Sequence, residues 1–357
     1  MKRNIFILRT QYNLIMGYAV MSTFSEEDEN DIIVQPEFNL SQELRESLSK
    51  NFSRVLILDK ANGVTPFEKA KELTISLGKC KEFLKSGYIY DRLIFAQERP
   101  LETMLFSNIY SMNNEVSIES VEEDAYYSLN NYFNIESNQK DWIKRGGLRS
   151  FSEKLFFKLI QLRYWKDTFM YPSYAYGMHP KNAVAHVQYP KYIRDELSEK
   201  KIIPVTADEI KYGINMLYGE IHIDYPENDT YLLMFFDLME RYKNPDLIKK
   251  IVTNFIQEAT ASGISILVKY HPRETNKFVG LGDLNEIDCT IPAEKVLLDL
   301  ADKNVTVLCN ATTVGLVAAK VGMKVISTAK IDLVDNTALH RVWEALGIKM
   351  LNSNDFN

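Results

Sequence analysis

Residues 266–274 read ILVKYHPRE, and this stretch indicates both a buried strand and the point at which the strand ends. The apolar run lies between Gly263 and Pro272 and contains β-branched residues, which is typical of a strand rather than a helix. Pro272 lacks a backbone donor and favours extended geometry at His271, so we expect the strand to stop there. Ligands of open α/β sheets bind at the carboxyl ends of strands. His271, close to Lys269, would there bind an anion or transfer a proton; the simpler alternative is an ordinary polar strand end.

Apolar strands alternate with helical segments on both sides of this stretch. We predict strands at Asn4–Leu8, Ile32–Val34, Arg54–Leu58, Tyr88–Ala96, Val116–Ser120, Tyr231–Phe236, Val305–Leu308 and Lys324–Ser327. Helices are predicted between them, the longest at Pro66–Ser86 and Pro245–Ser262. Such alternation is typical of βαβ units with parallel sheets. The predicted fold is therefore α/β, with two Rossmann-like domains facing across a cleft.

The chain has 357 residues, which exceeds the size at which a single core keeps growing. We place the domain boundary at 190/191, giving domains 1–190 and 191–357. The segment Tyr171–Tyr192 is rich in Pro and Tyr and is interpreted as irregular structure or a linker. The acidic segment Glu26–Asp31 is interpreted as a solvated loop.

Composition argues against several classes of protein. A net charge of -6 is not that of a general nucleic-acid binder. No apolar run approaches the roughly 20 residues that span a bilayer, and polar residues interrupt the N-terminal segment, so we expect no signal peptide. Three widely spaced cysteines fit neither a disulfide framework nor a zinc site. We expect a cytoplasmic protein.

One segment reverses the overall charge. Between Lys140 and Lys166 there are eight basic and two acidic residues. A helix at 152–166 would be basic and amphipathic, and such a helix can lie on an anionic membrane surface, here the inner face of the cytoplasmic membrane. The alternative is a solvated helix that packs on its own domain.

Several ligand-binding motifs are absent from the sequence. There is no P-loop, no HExxH motif and no Asp-x-Asp pair, and Val279–Gly282 lacks the third glycine of a dinucleotide fingerprint. These absences favour chemistry without a metal or a cofactor.

A second candidate site follows the predicted strand Val305–Leu308. Residues 309–315 read CNATTVG, so Asn310, Thr312 and Thr313 stand where a helix begins. Threonine hydroxyls and backbone N–H groups at a helix start can bind a phosphate, although simple N-capping by Thr312 is the alternative. Because this turn and His271 both end strands of the same predicted sheet, they would converge on one phosphate.

A third candidate is Glu122-Glu123-Asp124, directly after the predicted strand Val116–Ser120. Clustered carboxylates raise one another's pKa, which suits a general base. The alternative is a solvated acidic loop.

This order of motifs resembles the bacterial sialyltransferases of glycosyltransferase family 52 and their capsule and polysialic-acid relatives. Those enzymes share a D/E-D/E-G motif, an HP motif and an S-S/T motif. Residues 9–14 (RTQYNL) and 291–294 (IPAE) are similar to further segments of the family, so the resemblance runs from about 10 to 327. Ala125 stands where the family has glycine, and Thr312-Thr313 replaces a serine-led pair.

The resemblance implies a GT-B fold and inverting, metal-independent transfer of sialic acid from CMP-sialic acid. The acceptor would be a galactose-type hydroxyl of a capsular polysaccharide or lipooligosaccharide. Asp124 or Glu123 would deprotonate that hydroxyl, and His271 would protonate or hydrogen-bond the departing phosphate. The donor nucleotide would be bound by Lys269, Pro272, Glu294, Asn310, Thr312 and Thr313, with Glu294 at the ribose.

The expected partners are a nucleotide-sugar donor and a glycan acceptor, with no nucleic acid. Peripheral membrane association and a homodimer are left open. Two alternatives also stay open. One is a GT-B transferase with another donor, either a UDP- or ADP-hexose or CDP-glycerol. Transfer from CDP-glycerol needs a second histidine as the base, and His179 would be that histidine. The other is a non-catalytic relative.

Overall fold

The computed structural model describes residues 1–85, 87–123, 181–271, 284–310, 312–332 and 337–353, together with positions 155, 159, 177, 179 and 274. Asp124 and Pro272 lie outside the described residues. So does the predicted helix at 152–166, except for Leu155 and Leu159, which are helical and exposed. Within the described residues, no helix is both long enough and apolar enough to cross a membrane.

The chain divides into two compact units, Met1–Leu217 and Tyr218–Asn357. The strands of unit 1 are β1 Arg3–Leu8, β2 Glu29–Val34, β3 Arg54–Ile57, β4 Arg92–Phe95, β5 Ser117–Val121, β6 Asn182–Val187 and β7 Lys201–Pro204. They form a parallel sheet in the order β3-β2-β1-β4-β5-β6-β7. The helices are α1 Gln11–Met21, α2 Gln42–Asn51, α3 Pro66–Leu84, α4 Pro100–Met112 and α5 Ala207–Tyr218.

Unit 2 repeats this architecture. Its strands are β8 Thr230–Phe236, β9 Ser265–Tyr270, β10 Asn285–Glu286, β11 Asn304–Cys309, β12 Lys324–Ser327 and β13 Lys349–Met350, in the parallel order β10-β9-β8-β11-β12-β13. Its helices are α6 Pro245–Ala261, α7 Ala293–Asp299, α8 Thr313–Lys320, α9 Ala329–Asp332 and α10 Thr337–Ala345. The predicted α/β class with two Rossmann-like domains is therefore confirmed.

Helix α1 is buried on all sides. Eight consecutive residues, Asn13–Val20, are inaccessible, which is expected when a helix lies between a sheet and a second layer. The second layer is α5, where Gly213 lies directly against the carbonyl of Ile15. Helix α5 begins with a capping box in which Thr206 and Glu209 exchange bonds between side chain and backbone.

The prediction of a solvated loop at Glu26–Asp31 is wrong at its end, because β2 begins at Glu29 and Asp31 is fully buried. The carboxylate of Asp31 accepts a hydrogen bond from Tyr90 at 2.8 Å. It also pairs with Arg3 at 3.4 Å and with Arg54 at 3.7 Å. These partners offset the cost of burying the charge.

The interpretation of Tyr171–Tyr192 as irregular structure is wrong for 182–187, which form β6. Strand β7 and helix α5 were not predicted. The contacts of this region place it in unit 1, so the division after Leu217 falls later than the boundary expected at 190/191. The strand signal is weak because β6 (NAVAHV) contains Asn182 and His186, both of which are buried.

Replacing Gly213 by alanine should destabilise unit 1. The added Cβ would lie 2.3 Å from the carbonyl oxygen of Ile15, so α5 must move away from α1 at a cost of about 1–3 kcal/mol. The matched control is Gly78→Ala in α3, where nothing lies within 4 Å of the new atom and helix propensity should add about 0.5–1 kcal/mol. Urea unfolding would measure both effects. Equal effects of the two substitutions would contradict the close packing of α5 on α1.

Candidate functional site

The chain order reverses at one place in each sheet. In unit 1 the reversal lies between β1 and β4, and in unit 2 it lies between β8 and β11. Crossovers on opposite sides of a reversal leave a crevice outside the carboxyl ends of the two strands, where open α/β sheets bind ligands. The residues that follow these strands and their neighbours are therefore the candidate site residues of each unit.

His271 follows β9 and has a fixed backbone. Its N–H donates to the carbonyl of Phe236 at 2.9 Å, and its own carbonyl accepts from the N–H of Glu274 at 2.9 Å. The Asn310–Thr313 turn follows β11, with β8 between the two turns. The expectation that both turns lie at one edge of one parallel sheet is therefore confirmed. Two strand spacings separate them, about 10 Å.

The turn after β11 places polar side chains at the start of α8. The side chain of Thr312, the N-cap residue, makes no capping bond, so simple N-capping does not explain it. Asn310 is 7% exposed, and its Oδ1 has no hydrogen-bond partner among the described residues. Gly315 lets α8 approach β11, since a Cβ there would lie 2.8 Å from the sulfur of Cys309. The result is a polar turn at a helix N-terminus, in which Asn310 is buried and Thr312 and Thr313 are partly exposed.

Lys269 is buried in unit 2, and the partly exposed Glu294 is near enough for its charge to act on Lys269. The Lys269 ammonium donates to the carbonyls of Cys289 at 3.0 Å and Asp288 at 3.4 Å. Burial lowers the pKa of Lys269, against the opposing effects of Cys289, Glu294 and Asp288. Glu294 stands in the first turn of α7, directly after the segment that Lys269 holds. Lys269 thus fixes the chain that leads into Glu294.

In unit 1, Glu122 joins three elements at the sheet edge. Its Oε1 accepts from the backbone N–H of Gln188 at 2.8 Å. Its Oε2 accepts from the Tyr12 hydroxyl at 3.0 Å and from the side-chain amide of Gln188 at 3.1 Å. Glu122 therefore holds α1, β5 and the chain after β6 together.

Glu123 has different partners. Its Oε1 accepts from Nε2 of Gln97 at 2.8 Å, and its carbonyl accepts from Nδ2 of Asn13 at 2.9 Å. Gln97 follows β4 and Asn13 lies in the first turn of α1, so Glu123 is fixed from both sides of the reversal point.

Sequence reasoning missed several polar residues at this edge. Arg9 forms a buried bidentate pair with Glu102, and its Nη2 lies 3.0 Å from Oε2. Glu98 accepts from the backbone N–H of His179 at 2.7 Å. Arg9 and Tyr12 belong to the 9–14 segment that the resemblance had marked only as a whole. The glutamine and glutamate side chains that follow β4 and β6 belong to no motif.

A buried pair of side chains joins β5 and β6 just before the Glu122–Glu123 turn. His186 in β6 lies 2.8 Å from Glu119 in β5, and both side chains are almost inaccessible. Burial alone would raise the pKa of Glu119. The hydrogen bond and charge of His186, the hydroxyl of Ser117 and the charge of Arg92 outweigh burial and lower that pKa. Two sets of hydrogen bonds thus join the ends of β5 and β6. One is between His186 and Glu119, and the other is between Gln188 and Glu122.

Metal-binding groups and cysteines complete the description of the site chemistry. The described residues contain no group of three or more His, Cys, Asp or Glu side chains arranged to hold a metal ion. The three cysteines are free thiols, and burial raises the pKa of Cys80 and Cys309 to about 12.

No family model and no curated protein matches the chain. Solved structures do match its fold. The glycotransferase of kitacinnamycin gives a TM-score of 0.61 at 8% identity, covering 100% of this chain and 88% of that one. UDP-GlcNAc 2-epimerase from Neisseria meningitidis, bound to UDP-GlcNAc, gives 0.55 at 12% identity, covering 98% and 88%. The UDP-GlcNAc 2-epimerase of Methanocaldococcus jannaschii gives 0.54 at 15% identity, covering 99% and 89%. These similarities support the GT-B class of fold.

Replacing Glu119 by glutamine should lower stability in a pH-dependent way. A carboxylate whose pKa is lowered by folding stabilises the fold above its ordinary pKa of 4.5, and this contribution is lost as the pH falls through the folded value. The difference in unfolding free energy between wild type and Glu119→Gln should therefore be largest near pH 7 and shrink below about pH 4.5. Denaturant unfolding at several pH values measures it, with the exposed Glu115→Gln as control. A difference that does not vary with pH would contradict the ion pair.

Proposed function

We propose that the chain is a GT-B transferase of a nucleotide-activated sugar. In this proposal it transfers sialic acid from CMP-sialic acid to a sugar hydroxyl, with inversion and without a metal. The observation that supports it most is the arrangement in unit 2. His271 and the Asn310–Thr313 turn lie on one parallel edge, on either side of β8 and at the reversal of strand order.

This edge suits a departing nucleotide monophosphate. As the glycosidic carbon–oxygen bond to phosphate breaks, negative charge develops on the phosphate oxygen. His271 would donate a proton or a hydrogen bond to that oxygen, and the hydroxyls of Thr312 and Thr313 with the N–H groups of α8 would bind the other oxygens. A single phosphate carries little enough charge for these groups to stabilise it. Lys269 would act by holding the chain before Glu294, which would bind the ribose.

The acceptor side of the reaction needs a base. A sugar hydroxyl attacks the anomeric carbon while its proton passes to a carboxylate, which the resemblance assigns to Glu123 or Asp124. Glu123 lies at the carboxyl edge of the unit 1 sheet, where an acceptor could be bound. The proposed acceptor is a galactose-type hydroxyl of a bacterial capsular polysaccharide or lipooligosaccharide.

A UDP-sugar is the second candidate donor. The specific observation in its favour is that one structural neighbour is an epimerase bound to UDP-GlcNAc. An ADP-hexose, CDP-glycerol or a non-catalytic role would also leave the fold unchanged. CDP-glycerol is less favoured because His179, its candidate second histidine, is almost fully buried against Phe106.

A nucleotide panel should separate these donors. We expect CMP, without added metal, to raise the melting temperature more than CDP, UDP, ADP or GDP, since a ligand at 100 times its Kd adds about 2.7 kcal/mol. His271→Ala should remove most of the CMP effect and lower sialyl transfer on the order of 100- to 1000-fold. Differential scanning fluorimetry and product chromatography measure the two effects.

The matched control is His222→Ala, since the His222 side chain is 88% exposed in the same unit. It should leave both CMP binding and transfer unchanged. If UDP stabilises the protein more than CMP does, the donor is a UDP-sugar and not CMP-sialic acid. A chain that responds to no nucleotide would favour the non-catalytic alternative.

A further inference from the structure

The two glutamates after β5 differ in what their carboxylates do. Both oxygens of Glu122 accept hydrogen bonds, from the Tyr12 hydroxyl and from the backbone and side chain of Gln188. Protonation of Glu122 would weaken bonds that hold α1, β5 and the chain after β6 together. Glu122 is also 3% exposed. Its partners and burial assign Glu122 to structure rather than to proton transfer.

The position of Glu123 is fixed through its backbone. Asn13, which is fully buried, donates from Nδ2 to the Glu123 carbonyl at 2.9 Å. The amide of Asn13 is itself oriented, because its Oδ1 accepts from the N–H of Thr10 at 3.1 Å in the capping box of α1. The start of α1 thus determines where the Glu123 backbone lies.

The side chain of Glu123 is oriented by Gln97. A carboxylate can only accept when ionised, so the amide group of Gln97 must present its NH₂ to Glu123. The other end of that amide, Oε1, is buried and has no hydrogen-bond partner among the described residues, and Gln97 as a whole is 1% exposed. Among its described contacts, the bond that Gln97 does make is to Glu123.

We propose that Glu123 is the carboxylate that takes the proton from the acceptor hydroxyl, and that Gln97 and Asn13 are its positioning residues. This inference rests on the proposed function. The acceptor oxygen bonds to the anomeric carbon as the bond from that carbon to the donor phosphate breaks and the nucleotide leaves. The O–H bond of the acceptor breaks in the same step, and its proton moves to Glu123. A neutral amide suits this role, because it orients the carboxylate and favours its ionised form without the strong suppression of basicity that an arginine would cause.

The test replaces Gln97 by leucine, which removes the donor while keeping a side chain of similar size. The control is Gln42→Leu, since Gln42 also donates to a glutamate, Glu46, at 2.8 Å but on an exposed helix face. Loss of the donor should raise the pKa of Glu123, observed by ¹³C NMR titration of the carboxyl and assigned with Glu123→Gln. The acidic limb of the kcat/KM profile should move to higher pH by the same amount, and kcat should fall about tenfold or more. Gln42→Leu should change neither quantity.

Two further variants distinguish loss of the catalytic base from loss of the folded structure. Glu123→Gln and Asp124→Asn should both remain folded and bind CMP, but only Glu123→Gln should lose turnover, on the order of 100-fold or more. Turnover that survives in Glu123→Gln, or is lost only in Asp124→Asn, would overturn the assignment of Glu123. An unchanged Glu123 titration in Gln97→Leu would overturn the role of Gln97, with or without turnover. Failure of wild type to use CMP-sialic acid, with transfer from another donor retained, would overturn only the proposed donor.

Discussion

Parallel pairing of the strands is the constraint on which the rest of the structure depends. Each strand pair described in the two sheets is parallel, so consecutive strands need crossover connections and both faces of each sheet need a cover of helices. The strands accordingly read as continuous apolar runs, as in residues 5–8 and 231–236. The same pairing places all carboxyl ends at one edge. Parallel pairing alone therefore brings residues that are far apart in the sequence to the same edge of a sheet.

The two edges are built with different chemistry. Unit 2 presents a histidine, an asparagine, two threonines and a helix N-terminus, which together suit an anion. Unit 1 presents glutamates, one of which is paired with Arg9, while Glu122 and Glu123 have bonds with glutamine, asparagine and tyrosine. Neutral donors orient a carboxylate while preserving more of its basicity than a cation would. The anion-binding groups thus lie in unit 2, and the carboxylates with neutral partners lie in unit 1.

Local patterns in the sequence predicted much of the fold but little of the network around the site. The strands β1, β8, β9 and β11 follow directly from apolar runs with clear boundaries. The capping box at Thr206–Glu209 marked the start of α5, yet no prediction used it. Asp31 looked solvated because its partners Arg3, Arg54 and Tyr90 are distant in sequence. Gln97 and Gln188 could not be identified either, because an amide carries no local signal and their carboxylate partners, Glu123 and Glu122, follow a different strand.

The cover that α5 provides for α1 has a consequence for synthesis of the chain. Helix α1 leaves the ribosome early, but Gly213, which packs on Ile15, follows about 200 residues later. At the usual rate of about 5–20 residues per second, that interval lasts roughly 10–40 s. An apolar helix would be exposed on one side for this time, together with the unpaired edge of β5 that later receives β6. The packing of unit 1 around α1 can thus be completed only after α5 has emerged.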